Sequence, residues 1–456
     1  MVLKTNTNLP VNAATGNSDL PEGFKMTELG PLPEEWEVVR LGEVAQFERG
    51  VSWSKNDESN VGVGVLSIPN IGSDGQISPL PRVFIRKTVP EHKILKSGDI
   101  LLVGSSGSLS NVGRHGIFLE STSSPLTFAS FTIRVRSNES DLFQSFLPYL
   151  MLSSWVPFSA FSKRAADGKY NLQVQQLRHH IIPLPPLPEQ RAIAQVLRTV
   201  QRAREATERV LAATRELKKS LMRHLFTYGP VPIDQVDQVR LKETEIGPVP
   251  EEWRVVSLGE LFSIQQGAAL SPKRRAGQTP QPFLRTSNIF WGRLDLTALD
   301  RMDFSKEETQ RLALQPRDLL ICEGGEVGRT ALWSDEVEGC LYQNHVYRVR
   351  AHKGGVEPAF YMYWMQVAIL YQGLYGGYGN KTTIPNLSKS RLSSFPVPLP
   401  PLSEQQAIAD ILRTVDRKIQ AEEQRKAALD ALFKTLLHHL MTGKVRVRSA
   451  ITEPEE

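Results

Sequence analysis

The chain of 456 residues has little of what several classes of protein require. Its two cysteines, Cys322 and Cys340, lack Cys-x-x-Cys spacing, which argues against a disulfide framework or a structural zinc site. They suit a reducing cytosol. No run approaches the ~18 apolar residues of a membrane span, and the opening "MVLKTNTNLPVNAATGNSDLPEG" has no apolar signal-peptide core. Residues 1–27 therefore read as a flexible polar tail, and the chain as cytoplasmic with no membrane partner. Charge of one sign is also scarce. A formal +5 with pI near 9.0 permits a polyanionic partner without demanding one.

Catalytic signatures are missing as well. There is no G-x-x-x-x-G-K-[ST], since "GGYGNKTT" at Gly376 lacks the glycine before its lysine and cannot form a phosphate cradle. His-Glu-x-x-His is absent. The pairs His179/His180 and His438/His439 are adjacent, whereas two ligands on one helix face need a separation of three or four. Neither a G-x-S-x-G elbow, nor a G-x-G-x-x-G after a strand, nor the Asn/Asp-Pro-Pro-aromatic tetrapeptide of adenine methyltransferases occurs. No catalytic residue and no metal ligand is expected, and no cofactor is expected on this chain.

What the sequence has is repetition. "GPLPEEWEVVRLGE" at Gly30 returns as "GPVPEEWRVVSLGE" at Gly247, and "PLPPLPEQRAIAQVLRTV" at Pro183 returns as "PLPPLSEQQAIADILRTV" at Pro398. Of the 18 positions in the second pair 14 are identical, too many for chance. The interiors between these ends share almost nothing. Both interiors alternate short strand-like runs, such as "DILLVGSSGS", "SFTIRVRS", "DLLICEGGEVG" and "NHVYRVRA", with Gly, Ser and Asn turns. A helical stretch at "LFQSFLPYLMLSSW" matches one at "PAFYMYWMQVAILYQG". Each interior is therefore a mixed α/β globule, over 28–182 and 245–397. The proline runs should carry the chain out of each globule as a stiff extended segment, outside any strand ladder.

After each proline run comes a long helix, within 183–228 and 398–444, ended by Gly229 and Gly443. A linker (229–244) follows the first and a tail (445–456) the second. Alternating spacings of three and four mark a heptad seam through Ile193, Val196, Val200, Val210, Leu217 and Leu221 in the first helix. In the second it passes through Ile408, Leu412, Val415 and Ile419, softens at Glu422 and Lys426, and resumes at Leu429, Phe433, Leu436 and Leu440. A stripe this regular favours a partner helix, which the chain supplies, over packing of each helix flat on its own globule, which usually shows a wider stripe.

Two divergent globules, each opened by Pro-Glu-Glu-Trp and closed by "PLPPLxEQxxIAxxL" and a long helix, resemble the specificity subunit of a Type I restriction-modification system. The likeness spans residues 28 to 444 and includes "SGDILLVGSSGSLSNVGR" and "PRDLLICEGGEVGR", the first with a longer serine-rich loop. It implies an α+β architecture: two mixed α/β target recognition domains joined by two long helices that pair antiparallel as a coiled coil, a pseudo-twofold repeat. It also implies double-stranded DNA as ligand, one half of a split site per domain. Implied partners are two modification (methyltransferase) subunits carrying S-adenosylmethionine, and restriction (helicase-nuclease) subunits using ATP and Mg. The rival reading is a coiled-coil scaffold whose globules bind proteins.

DNA binding needs Lys/Arg for phosphates and Asn, Gln, Arg, Ser or Thr on loops for base edges. Loops of the first globule offer Lys55, Asn70, Ser105, Ser108, Asn111, Arg114, Lys163, Arg164 and Lys169. Those of the second offer Lys273, Arg274, Arg275, Asn288, Arg329, Asn344, His345, Asn380 and Lys381.

Overall fold

The repeated Asp-(Ile/Leu)-Leu runs become the central strands of two sheets. The computed structural model describes residues 20–447 apart from 73–74, 120–123, 276, 353 and 375–385, so Asn380, Lys381 and most of both tails lie outside the described residues. Contacts divide the chain into two units, residues 1–206 with 426–456 and residues 207–425. In the first, Ala45–Arg49, Ile100–Val103, His115–Ile117 and Thr132–Ser137 form one antiparallel sheet in which the strands, numbered along the chain, stand in the order one, four, two, three. In the second, Phe262–Gln266, Leu319–Cys322, Thr330–Leu332 and Val346–Ala351 repeat that order. Each unit adds a second sheet, of four strands in the first and three in the second, containing one parallel pair: Leu126–Phe128 beside Val63–Leu66, and Leu341–Tyr342 beside Gln281–Leu284.

The repeated aspartate explains why this strand motif survives in both copies. Asp318 is buried, accepts the backbone N–H of Gln315 at 2.7 Å and takes Arg350 by two bonds of 2.6 Å. Asp99 does the same with the backbone of Lys96 at 2.8 Å and with Arg136. A bidentate pair satisfies both carboxylate oxygens, which is what a buried charge requires. The hydrogen bonds to Asp99 and Asp318 raise Arg136 and Arg350 above the ordinary arginine range.

One expectation about the proline runs is corrected. Ile181–Leu184 and Pro396–Leu399 are strands, paired antiparallel with Glu37–Arg40 and Arg254–Ser257. Proline is compatible with a two-stranded ladder because every strand there is an edge, and the missing N–H can face away from the partner.

The long helices are Leu187–Tyr228 and Leu402–Met441, each ~60 Å long at 1.5 Å per residue. Their ends are buried in globule cores. Ile193, Ala194 and Leu197 share a cluster in the first unit with Trp36, Leu147 and Leu150, and Phe433, Leu440 and Met441 complete it. In the second, Met222, Leu225 and Phe226 join Ile408, Ala409 and Leu412 around Trp253 and Phe360. The helices are antiparallel there, since Arg215 pairs with Glu423 and Lys218 with Asp416, each at 2.6 Å. In the first unit Arg204 meets Asp430 at 2.6 Å and lies over the Phe433 ring.

In the second helix Ile408, Leu412, Phe433 and Leu440 are buried, and Val415, Ile419, Leu429 and Leu436 half-buried. In the first helix burial is uneven along the spaced positions. Ile193 is buried and Val196, Val200 and Leu221 are half-buried, but Val210 is 42% and Leu217 52% exposed. Leu211 and Met222 are buried instead, one residue further on. Among the described residues no helix is long and apolar enough to cross a membrane.

Candidate nucleic-acid interface

Each central sheet has a tied end and a free end. The tied end faces the long helices. Trp36 of the first Pro-Glu-Glu-Trp is fully buried and donates its indole N–H to Glu189 Oε2 at 2.9 Å, and Trp253 of the second donates to Glu404 Oε2 at 2.9 Å. These glutamates belong to the repeated Glu-Gln that opens each helix. The glutamines are fully buried too. Gln190 accepts the backbone N–H of Phe143 at 2.8 Å and donates to the carbonyl of Asp141 at 2.8 Å. Gln405 accepts the N–H of Glu357 at 2.8 Å and donates to the carbonyl of Gly355. In the first unit Arg446 further clamps Glu189 and Glu35. Gly443 ends its helix with φ +68°, and a Cβ there would lie 2.4 Å from Pro33, so glycine is required by both conformation and space.

The free end follows from strand direction. Ala45–Arg49 and Ile100–Val103 finish there, and His115–Ile117 and Thr132–Ser137 begin there. The loops at that end therefore carry Lys55, Ser105, Ser108, Asn111 and Arg114. A three-stranded sheet, Ser162–Arg164, Tyr170–Leu172 and Ser105–Ser106, adds Lys163 and Arg164, with Lys169 in the turn. In the second unit the same end carries Lys273, Arg274 and Arg275 after the first strand, Arg329 before Thr330–Leu332, and Asn344 and His345 before Val346–Ala351. In each unit residues distant in sequence, Lys55 to Lys169 in the first and Lys273 to His345 in the second, thus lie on loops at the same end of the central sheet.

The model of the Type I restriction modification DNA specificity domain matches residues 33–213 and 250–431. The chain belongs to that family. It carries two copies of the domain, as a specificity subunit with two target recognition domains. It is 27% identical over 441 residues to the MjaX type I restriction enzyme specificity subunit of Methanocaldococcus jannaschii, covering 94% of this chain and 98% of that one. Against the MjaVIII specificity subunit of the same organism identity is 25%, covering 94% and 97%. The fold is similar to the crystal structure of the S subunit of a Type I restriction-modification system from M. genitalium, with TM-score 0.57 and 14% identity, covering 89% of this chain and 96% of that one.

Within the recognition domains the candidate side chains differ in availability. Asn70 and Asn288 are buried. Asn70 accepts the N–H of Ser67 at 3.0 Å and donates to the carbonyls of Ser78 and Leu80. Asn288 does the same with Arg285, Asp295 and Ala298. Both close a turn and offer nothing outward. Arg114 and Arg329 are partly spent, each reaching the residue three before it, Asn111 or Glu326, and a turn carbonyl, Ile68 or Ile289. Arg274 pairs with Glu308 and Arg275 with Asp300. His345 bonds Glu323 at 3.1 Å while keeping 55% of its side chain exposed, and Asn344 is half-buried. Lys55, Ser108, Lys163, Arg164 and Lys273 are exposed. Lys169 is exposed beside Asp167 at 3.4 Å.

Sequence reasoning missed Arg49, at the end of its strand, and the amides Asn171, Gln175 and Gln176, which read as ordinary strand and helix residues. It also missed Phe290, whose ring carries the guanidinium groups of Arg293 at 4.5 Å and Arg329 at 5.0 Å from its centroid. Cation over aromatic contact was the available signal: "NIFWGR" interleaves them.

Proposed function

We propose that this specificity subunit recognises a two-part double-stranded DNA site, one half per target recognition domain, and docks the methyltransferase and restriction subunits that act on it. It performs no catalysis of its own; S-adenosylmethionine, ATP and Mg belong to those partners. One observation carries the reading. Two domains keep the same sheet order and the same tied end, while the loops at the free end differ in length and chemistry. Constant support with divergent loops is the arrangement a pair of readers for two different sequences needs. The exposed lysines beside Ser and Asn groups supply both halves of DNA recognition, phosphate neutralisation and base-edge bonding.

Binding of the full-length chain, with the subunits that accompany it in its host, is to be measured on duplexes across a salt series. Affinity should fall log-linearly with salt, with a slope of about −0.9 per phosphate neutralised. A salt-insensitive complex, or binding to a protein with no response to DNA, would favour the scaffold reading instead.

A further inference from the structure

A cleft of about 390 Å³ opens in the first unit between Ala45–Arg49, the foot of the Ser162–Leu172 ribbon and the short helix Val174–His179. Phe47, Ile133 and Leu172 line it as apolar surface, and Arg49, Asn171, Gln175 and Gln176 as polar surface. Among the described residues none of those four side chains makes a hydrogen bond or ion pair, in contrast to Arg178 of the same cleft, which bonds the Phe47 carbonyl at 2.8 Å. A guanidinium and three amides left unpaired over an apolar floor form a wall suited to a polar, planar ligand.

The second unit shows that this position is where the readers diverge. Arg49 pairs across the sheet with Ile133, and Gln266 holds the same place beside Tyr347. There the polar groups are turned onto a buried carboxylate: Glu323 accepts Tyr347 at 2.9 Å, His345 at 3.1 Å and Gln266 at 3.4 Å. A shared frame carries a free cation in one copy and a satisfied anion in the other.

We propose that the cleft is a base-reading site: Arg49 takes the major-groove edge of a guanine, and the Asn171, Gln175 and Gln176 amides read the neighbouring base pair. This rests on the DNA-reading function proposed above. The major groove admits a two-stranded ribbon, and the Ser162–Leu172 hairpin, basic and exposed at Lys163, Arg164 and Lys169, forms two strands of a small sheet that Ser105–Ser106 completes, with the cleft at its foot. Guanine presents O6 and N7, two acceptors that match two guanidinium N–H donors; an amide matches adenine N6 and N7. Lys163 and Lys169 on the ribbon then face the phosphates.

The test starts from selection of duplexes out of a random pool by the full-length chain with its accompanying subunits, followed by titration of the selected duplex and its single-base variants. Arg49→Ala should erase preference at one G·C pair of one half-site, a loss of roughly 5- to 150-fold in discrimination. It should leave the salt slope unchanged. Lys163→Ala should weaken all duplexes evenly and reduce the slope by about one. Since Arg49 is exposed, folding is not at issue, and Gln176→Ala serves as the second variant, expected to relax the adjacent base pair. Unchanged preference in both variants, or even weakening with a reduced slope, would overturn the site. A wild-type chain that selects nothing overturns DNA reading itself, and this site with it.

Discussion

At the scale of single residues, the side chain that looks most like a base reader can be the one that holds a turn together. Asn70 uses its whole amide on Ser67, Ser78 and Leu80. Replacing it with alanine leaves one N–H and two carbonyls unpaired, so Asn70→Ala should cost ~1–3 kcal/mol in denaturant unfolding. DNA affinity of the folded fraction should stay as it was; a loss of affinity at unchanged stability would make Asn70 a contact after all. Asparagine in a glycine-rich loop reads the same in both roles, because its neighbours in sequence do not reveal whether its partners are backbone or base. Both cysteines are buried as well. Burial pushes the Cys322 and Cys340 thiols up to about 12. The shift is upward, so both remain protonated through about pH 9, and thiolate-directed alkylation should be slow at any pH at which the fold persists. Mass spectrometry after a timed iodoacetamide pulse should find two free thiols without denaturant and two alkylated ones with it. Rapid native labelling of either would contradict the buried placement.

At the scale of elements, the long helices show that a heptad period does not by itself say which residues are buried. Val196-Leu197, Val210-Leu211 and Leu221-Met222 are neighbouring apolar pairs, so at those three places spacing alone does not say which member is buried. An α-helix also drifts by ~20° per heptad from a strict seven-residue repeat, which moves the buried face from one frame to the other along its length. Packing decides the frame, and packing is not written in spacing. Leu211→Ala should therefore cost ~2–5 kcal/mol, while Leu217→Ala, at 52% exposure, should stay within ~0.5 kcal/mol of the parent. Thermal or urea unfolding of the two variants discriminates, and the reverse ranking would restore the frame through Val210 and Leu217. The second helix has such pairs too, Ile411-Leu412 and Leu432-Phe433 among them, and there Leu412 and Phe433 are the buried members. The proline runs misled for a different reason. A ladder of two strands has outward edges on both sides, and only pairing with Glu37–Arg40 or Arg254–Ser257, more than a hundred residues away, makes the run a strand.

At the scale of the whole molecule, repetition made the architecture legible, and it did so without revealing what the repeated letters do. The Pro-Glu-Glu-Trp and Glu-Gln motifs stand 153 and 151 residues apart at their Trp-Glu bonds, beyond the reach of any local pattern. Their chemistry explains why interiors can diverge between fixed ends. Gln190 and Gln405 grip each globule through backbone N–H and carbonyl groups, at Phe143 and Asp141 and at Glu357 and Gly355. Backbone atoms are present whatever the side chains, so the attachment does not depend on what a globule reads. It follows that residues 28–182 should be exchangeable for the same block of another family member, provided the incoming block brings a Pro-Glu-Glu-Trp tryptophan for Glu189 and a strand in place of Glu37–Arg40 to pair with the edge that continues into the retained Pro183 and Leu184. Because the second block keeps its Trp253–Glu404 bond and its own loops, the hybrid should change one half of the recognised DNA site and leave the other half and the number of unspecified bases between them unaltered. Methylome sequencing of a host carrying the hybrid reads this directly. A hybrid that alters both halves would mean that the free ends of the two sheets do not read independently. One that methylates nothing while folding and binding DNA would place part of the partner-docking surface inside residues 28–182.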